Sequence, residues 1–259
     1  MVYDVTPFFN EVDVLRLRLE YLYNHVDKFV IVESNRTYSG RYKGFVLEER
    51  YDEVKDWSDK IIYVKYKPDI NENDLNIEVN EYDENNIHWR LESAQRDLAL
   101  EYVNEPEAIM MVCDLDEIWN PKILSSAYVC KLGMSFHYYY ANYMCNQLWR
   151  HPFMIKRRLV RHSLNDYRNN LNLPVLSNSG WHLSYLGGVN RIKNKIISFA
   201  HQEYNKEYYI DENRIKDCIE NGKDLFDRKD HKWEKISMDY FPKDFLSVLN
   251  KHPNFLYNG

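Results

Sequence analysis

The feature that most constrains the fold is a short apolar run that ends in a cluster of carboxylates. Residues 109–113 are continuously apolar, and the run is too short for a helix but typical of a strand buried on both faces of a sheet. Asp114, Asp116 and Glu117 follow directly. Because open α/β sheets bind ligands at the carboxyl ends of their strands, the sequence predicts a ligand site at these acids.

Asp114 and Asp116 are two residues apart, so in extended geometry their carboxylates leave the same side of the chain. Two converging oxygen ligands suit Mn²⁺ or Mg²⁺ and would leave positions open for phosphate oxygens of a substrate. The alternative is an acidic turn before a helix, since Asn120 and Pro121 are typical first residues of a helix, here predicted to run to about Cys130.

The start of the chain predicts a β-α-β unit. Residues 2–5 and 29–32 are apolar enough for two strands, and apolar residues recur at helical spacing from Val12 to Val26. Asn10 is the predicted N-cap of this helix, with Asp13 in the capping-box position. Such a unit predicts a parallel sheet with a right-handed crossover.

Later segments extend this α/β pattern. Residues 144–180 have no clear period beyond a strand-like stretch at 153–160, and we interpret them as an acceptor-side insertion. A glycine pair, Gly187-Gly188, precedes a helix that runs through Ile196. The remaining predicted elements are a strand at 61–66, a helix at 88–103, an aromatic strand at 134–143, a strand at 180–185 and a helix after Asp211 that Gly222 ends.

Composition excludes several classes of protein. With 34 Lys and Arg against 40 Asp and Glu, the net charge of −6 argues against nucleic-acid binding as the main task. The four cysteines show no zinc-ligand or disulfide spacing, which favours reduced, buried thiols. No apolar run approaches about 18 residues, and the N-terminus has no signal core, so we expect a cytoplasmic protein without a membrane span.

Polar residues after the second strand are candidates for binding a nucleotide. Glu33 ends that strand and is placed to accept hydrogen bonds from a ribose or base, although a solvated loop acid is an equal alternative. The polar loop that includes Lys43 is suited to cover a ligand. Arg90 and Arg96 precede the acidic cluster by one helix and are candidates for a diphosphate, with surface salt bridges as the alternative.

Taken together, several segments of the chain resemble glycosyltransferase family 17, which includes the animal transferase that adds the bisecting N-acetylglucosamine to N-glycans. They occur in the family's order and cover most of residues 1–226. The acidic motif differs from the animal sequence in having Trp119 where that sequence has Pro. The segments are residues 3–11 with Leu15, Leu17 and Leu19, then 32–40, 114–118, 180–184 and 215–226.

The resemblance implies a GT-A fold, that is, a single Rossmann-like nucleotide-sugar-binding domain with a mainly parallel central sheet and an antiparallel acceptor-side portion. Residues 1–120 would form the nucleotide-sugar half, 121–226 the acceptor and catalytic half, and 227–259 a tail that packs on the domain. It also implies an inverting mechanism with Mn²⁺ or Mg²⁺. The expected substrates are a UDP-sugar, with N-acetylglucosamine as the expected sugar, and a carbohydrate or glycoconjugate acceptor.

The resemblance assigns roles to particular residues. Asp114 and Asp116 would hold the metal, with Asp116 the stronger candidate for direct ligation. The catalytic base would be Glu203, which follows the helix after the glycine pair, or His182, whose alternatives are a metal or diphosphate ligand or a core histidine. The expected nucleotide-sugar contacts are Asn10, Glu11, Glu33, Asn35, Lys43, Arg90, Arg96, Glu117 and Trp181.

Two other functions remain open from sequence. A metal-dependent phosphotransferase or phosphatase would use the same pair, Asp114 and Asp116, but that pattern expects Thr or Ser soon after the second Asp, and Glu-Ile-Trp follows here. A non-catalytic carbohydrate-binding protein would suit the 22 Tyr and 6 Trp. A buried strand that ends in clustered acids fits such a module poorly.

Overall fold

The computed structural model describes residues 1–75, 77–125 and 129–257, and in this part of the chain two β-sheets pack with helices. The strands are β1 (Val2–Phe8), β2 (Lys28–Ser34), β3 (Ile61–Tyr66), β4 (Ile109–Val112), β5 (Glu117–Trp119), β6 (Val129–Leu132), β7 (Met134–Tyr138), β8 (Tyr143–Trp149), β9 (Phe153–Lys156), β10 (Val175–Leu176), β11 (Gly180–Ser184) and β12 (Glu234–Lys235).

The α-helices are α1 (Val12–Leu22), α2 (Val46–Glu49), α3 (Ile87–Asp97), α4 (Leu164–Asn169), α5 (Val189–Ile196), α6 (Glu207–Ile210), α7 (Glu212–Asn221) and α8 (Lys243–Leu249). Short 3₁₀ helices lie at Tyr23–His25, Tyr51–Glu53, Lys55–Trp57, Glu72–Leu75, Leu98–Tyr102, Pro121–Ser125, Arg157–Leu159, Gln202–Tyr204, Met238–Tyr240 and Pro253–Phe255.

The larger sheet has the strand order β10-β6-β9-β4-β1-β2-β3. Strands β3, β2, β1 and β4 are parallel neighbours, and β9 runs antiparallel between β4 and β6. Alternate residues of the central strand β4 enter different cores, with Met111 in one and Met110 and Val112 in the other. The predicted mixed α/β fold with a mostly parallel sheet and a doubly buried central strand is therefore confirmed.

The smaller sheet has the order β12-β8-β7-β11-β5 and holds the acidic cluster against β11. Gly180 makes this pairing possible: its φ is 144°, and a Cβ there would lie 2.1 Å from the carbonyl oxygen of Ile118. The pairing places His182 opposite Glu117. The predicted single strand at 134–143 is wrong, because the chain turns after β7 at Tyr139, whose φ is 68°, and returns antiparallel as β8.

Two predictions about helix ends are also wrong. Helix α1 is preceded by Glu11 as N-cap without a side-chain cap, and Asp13 binds Arg191 at 2.6 and 2.7 Å instead of completing a capping box. The helix expected from Pro121 to Cys130 is a 3₁₀ helix that ends at Ser125, and Cys130 belongs to β6, where pairing with β9 buries it. Residues 126–128 of that prediction lie outside the described residues.

The C-terminal segment packs against α1 and β11. Phe245 of α8 is fully buried and stacks on Trp181 with ring centroids 4.1 Å apart. The four cysteines are free and buried, as predicted. Within the described ranges, no helix is long and apolar enough to cross a membrane.

Candidate active site

A cleft of about 450 Å³ opens where the carboxyl ends of β1, β2 and β4 meet the smaller sheet. Phe8 ends β1, Arg36 follows β2, and Asp114 and Asp116 follow β4, and all of them line this cleft. The two acids therefore lie in the crevice at the carboxyl ends of neighbouring parallel strands, where open α/β sheets bind their ligands.

A buried ion pair fixes the backbone of the acidic loop, residues 114–117. Arg18 of α1 is fully buried and binds both carboxylate oxygens of Asp4 on β1, at 2.6 and 2.7 Å. Its remaining Nη1 donates to three backbone carbonyls of the loop at distances between 2.7 and 3.3 Å. Trp119 Nε1 donates to Asp4 at 2.7 Å and closes the network. The loop is thus positioned before any ligand binds.

Each carboxylate oxygen of Asp114 pairs with an arginine. Arg96 Nη2 lies 2.9 Å from its Oδ1, and Arg168 Nη2 lies 2.5 Å from its Oδ2. Burial acts to raise the pKa of Asp114, but attraction to Arg168 and Arg96 outweighs burial and holds that pKa below its usual value. Asp114 is therefore a fixed carboxylate whose two oxygens both have guanidinium partners.

Glu117 lies behind the cleft and holds Arg168 in place. It is fully buried and accepts two hydrogen bonds from Arg168, at 2.6 and 2.9 Å. It also accepts from the backbone N–H of Asp114 and from Trp149 Nε1, each at 2.5 Å. Glu117 does not line the cleft, so its contacts position the cleft wall and do not reach into the cleft.

Asp116 is the loop carboxylate that faces His182 and Lys195. Lys195 Nζ of α5 lies 2.7 Å from Oδ2, and His182 Nε2 of β11 lies 3.5 Å from Oδ1. Burial acts to raise the pKa of Asp116, but attraction to Lys195 and His182 dominates and holds that pKa far below its usual value. Asp116 is ionised at neutral pH.

Aromatic stacking holds His182, which makes no short hydrogen bond within the described part of the chain. It stacks on Phe136 and Trp149 with ring centroids 4.9 and 4.2 Å away. Its Nδ1 is buried without a hydrogen-bond partner among the described residues, and its Nε2 contact to Asp116 is too long for a strong hydrogen bond. His182 therefore keeps unused hydrogen-bonding capacity within the described part of the chain.

The two acids of the predicted metal pair differ in their contacts, and their role as metal ligands stays a prediction. Both Asp114 oxygens are occupied by arginines, whereas Asp116 Oδ1 and His182 Nε2 are 3.5 Å apart, a separation that two ligands of one ion, each about 2.1 Å from it, can have. The described residues contain no group of three or more His, Cys, Asp or Glu placed to hold a metal. Asp116 and His182 could thus supply two ligands of an ion, and substrate oxygens would have to complete its coordination.

Glu33 does not reach the cleft, although it ends a strand as predicted. It is fully buried and accepts hydrogen bonds from Lys43 Nζ at 2.5 Å, Tyr63 Oη at 2.6 Å, and the backbone N–H groups of Val46 and Leu47 at 2.7 and 3.0 Å. All of its binding capacity is used to anchor the start of α2. Lys43, which pairs with Glu33, does line the cleft.

Some of the other predicted nucleotide-sugar contacts lie at the cleft, and the rest lie away from it. Glu11 lines the cleft, and Asn10 lines a small adjoining pocket of about 20 Å³ that shares Glu11 with it. Arg90 is exposed on α3 outside the cleft, Trp181 is buried in the core, and Asn35 also lies outside the cleft lining. Arg96 lines the cleft and donates a hydrogen bond to Asp114 there.

The predicted base Glu203 lies behind a histidine. His201 Nδ1 is 2.6 Å from Glu203 Oε1. The His201 side chain is 40 % exposed and lines the cleft, whereas the Glu203 side chain is 10 % exposed and does not. Any direct contact between this pair and a ligand in the cleft is therefore made by His201.

Arg168, Lys195 and His201 were missed by sequence reasoning. His201 precedes Glu203 in the segment already singled out, and Lys195 lies on the helix predicted after the glycine pair, so both were within reach. Arg168 lies on α4, in a segment without periodicity, and carries no sequence signal that links it to Asp114.

Aromatic rings cover much of the cleft wall. Such surfaces suit a sugar or a base, because the ring faces pack against flat apolar surfaces while polar edges remain free for hydrogen bonds. The aromatic residues that line the cleft are Phe8, Phe9, Tyr38, Trp89, Phe136, Tyr138, Trp149, Tyr185, Phe199, Tyr204 and Phe226, together with three histidines, His151, His182 and His201.

Comparison with known proteins agrees with the sequence resemblance. The family model described as Glycosyltransferase family 17 matches residues 1–243 of the 259-residue chain. A search among curated proteins finds no match. Because the family match spans almost the whole chain, both sheets and the cleft included, this protein belongs to glycosyltransferase family 17 and is a glycosyltransferase.

Proposed function

We propose that this enzyme is a metal-dependent, inverting glycosyltransferase of the GT-A type that moves N-acetylglucosamine from a UDP-sugar to a hydroxyl of a glycan or glycoconjugate. The observation that carries the proposal is the arrangement around Asp116. This carboxylate follows the central strand, faces His182 across 3.5 Å, and lies in a cleft large enough for a small-molecule substrate.

Charge balance at the acidic loop supports a nucleoside diphosphate together with a cation. Arg96, Arg168 and Lys195 each pair with a carboxylate of this site, so their positive charges are already compensated. A diphosphate adds negative charge that these pairs do not neutralise. Mn²⁺ or Mg²⁺ held by Asp116 and His182 would neutralise negative charge on the leaving diphosphate.

The protein's own residues have separate tasks in this proposal. Asp114, fixed by two arginines, holds Arg96 and Arg168 at the edge of the cleft, where they can donate to diphosphate oxygens. Lys195 is a third donor and lies on α5, which begins after Gly188. In an inverting transfer, the acceptor hydroxyl attacks the anomeric carbon directly while a protein base removes its proton.

The aromatic wall supports a carbohydrate acceptor. Trp89 and Tyr204 lie at the His201 side of the cleft, and Trp149 lies at the His182 side, so rings are available to both substrates. The family assignment supports this reading over a phosphatase or a non-catalytic binding protein.

The proposal is tested by measuring UDP release from a panel of UDP-sugars with candidate glycan acceptors, in Mn²⁺ and after chelation. We expect the fastest release from UDP-N-acetylglucosamine, loss of activity with chelator, and a product whose anomeric configuration is opposite to that of the donor. Asp116→Asn is expected to lose activity, whereas Asp52→Asn, at an exposed position outside the cleft lining, is the matched control. Full activity without metal, or retention of configuration, would contradict the proposal.

A further inference from the structure

The pair formed by His201 and Glu203 has an arrangement typical of an oriented base. Glu203 Oε1 lies 2.6 Å from His201 Nδ1, a distance that requires Nδ1 to carry the proton when the carboxylate is ionised. The remaining lone pair of the neutral ring is then on Nε2, which has no hydrogen-bond partner among the described residues. His201 lines the cleft, so this nitrogen belongs to a side chain that ligands can contact.

Glu203 is a largely buried carboxylate with few hydrogen bonds. Its Oε2 is buried without a hydrogen-bond partner among the residues that the structure describes, so the carboxylate has one short polar contact, the His201 ring. A buried carboxylate with unused hydrogen-bond acceptor sites is stabilised when a neighbouring imidazole becomes positively charged. Glu203 is therefore placed to stabilise the imidazolium that proton abstraction would create on His201.

The surroundings of His201 fix the ring without providing a competing ion pair. Trp89 packs edge-on against it with centroids 4.6 Å apart, and Tyr82 and Tyr204 lie at 6.1 and 5.9 Å. These rings come from three segments of the chain, so the imidazole is held on several sides. His88 on α3, Tyr82 and Tyr204 are nearby titratable groups that also sense the charge of Glu203.

We propose, resting on the transferase function proposed above, that His201 is the catalytic base and that Glu203 is its positioning residue. The acceptor oxygen forms the new bond to the anomeric carbon as the bond from that carbon to the diphosphate oxygen breaks, and the bonding pair leaves with the diphosphate. The acceptor proton moves to His201 Nε2. The resulting imidazolium is stabilised by the Glu203 carboxylate at Nδ1, an arrangement known from carboxylate–histidine pairs in other enzymes.

The role of His201 is tested with UDP-N-acetylglucosamine as donor and water as acceptor, so that no glycan acceptor needs to be known. His201→Gln is expected to lower UDP release about 100-fold or more while UDP binding measured by calorimetry stays within about twofold of the native value. His25→Gln, at an exposed position outside the cleft, is the matched control. A His201→Gln enzyme that releases UDP at the native rate would overturn the assignment.

The role of Glu203 is tested by the pH profile. Glu203→Gln removes the charge next to the imidazolium, so the acid limb of the UDP-release rate is expected to move to lower pH, with a smaller loss of rate than in His201→Gln. A purely structural role for Glu203 would lower the rate without moving the limb, and that result would overturn the positioning role.

A measurement independent of activity separates this proposal from the donor-site proposal. Nitrogen-15 NMR of the native protein is expected to show neutral His201 with the proton on Nδ1 and a free Nε2. The opposite tautomer would overturn the base assignment even if UDP binds. A native protein that binds no UDP would instead contradict the proposed function. The tautomer would then still show whether Nδ1 of His201 carries the proton.

Discussion

Lys195 Nζ lies 2.7 Å from Asp116 Oδ2, so the carboxylate that we propose as a metal ligand already has a cationic partner. A metal ion and the ammonium of Lys195 therefore compete for the charge of one side chain. A diphosphate in the cleft would give Lys195 a second partner and leave Asp116 to the metal. Metal and diphosphate are then expected to strengthen each other's binding by the same factor.

Replacing Lys195 tests this competition. Lys195→Met removes the ammonium from Asp116, so Mn²⁺ is expected to bind the free protein about tenfold more tightly, whereas UDP is expected to bind more weakly in the presence of Mn²⁺. Calorimetric titration of each ligand measures both changes. Lys193→Met is the matched control because Lys193 lies on the same helix and pairs with Glu212 at 3.0 Å. Equal Mn²⁺ affinity in the two variants would rule out competition.

Arg168 is expected to be required for stability. Arg168→Met would leave Glu117, which is fully buried, without its guanidinium partner, and removal of one member of a buried pair costs about 3–5 kcal/mol. The free energy of unfolding in urea measures this loss. Arg150→Met, at an exposed position, is expected to change it by less than about 0.5 kcal/mol. A loss for Arg168→Met no larger than for the control would show that Glu117 does not depend on this partner.

His137 is expected to make the protein less stable in mild acid. Its Nδ1 lies 2.6 Å from the carbonyl oxygen of Ala141, its Nε2 lies 2.8 Å from Ser135 Oγ, and burial lowers its pKa from 6.5 to about 3. Between those two pKa values the unfolded chain binds the proton and the folded chain does not. The free energy of unfolding therefore falls as pH drops below about 6.5, with His137 contributing at most about 1.4 kcal/mol per pH unit.

Urea unfolding at about pH 7, 6 and 5 measures the slope of stability against pH. His137→Asn is expected to flatten this slope, and His25→Asn, at an exposed site, is expected to keep the native slope. Other histidines with lowered pKa, such as His151, contribute in both variants, so the comparison isolates His137. An identical slope in the native protein and in His137→Asn would contradict this assignment.

Much of the larger sheet could be predicted because its strands are short and apolar, and because apolar residues recur at helical spacing in the helix between the first two strands. The run at 109–113 predicts β4, and the parallel β1-α1-β2 unit follows from local patterns alone. The position of Asp114 and Asp116 at the cleft also follows, since the carboxyl ends of parallel strands share one edge of the sheet.

The partners of the acidic residues could not be predicted, because they depend on contacts between distant segments. Asp114 meets Arg168 from α4, and Asp116 meets Lys195 from α5, and nothing in the spacing of these residues encodes either contact. Glu33 shows the opposite case: its position at a strand end is as expected, but backbone N–H groups of α2 and the hydroxyl of Tyr63 use its carboxylate fully.

The site centred on Asp116 is tested most directly by calorimetric titration of UDP into the native protein, with Mn²⁺ and after chelation, and into Asp116→Asn under the same conditions. Asp52→Asn serves as the exposed control. We expect Mn²⁺ to strengthen UDP binding to the native protein and to the control by at least about tenfold, equivalent to about 1.4 kcal/mol, and to have no such effect on Asp116→Asn. UDP binding that is indifferent to Mn²⁺ and unchanged in Asp116→Asn would contradict the metal site.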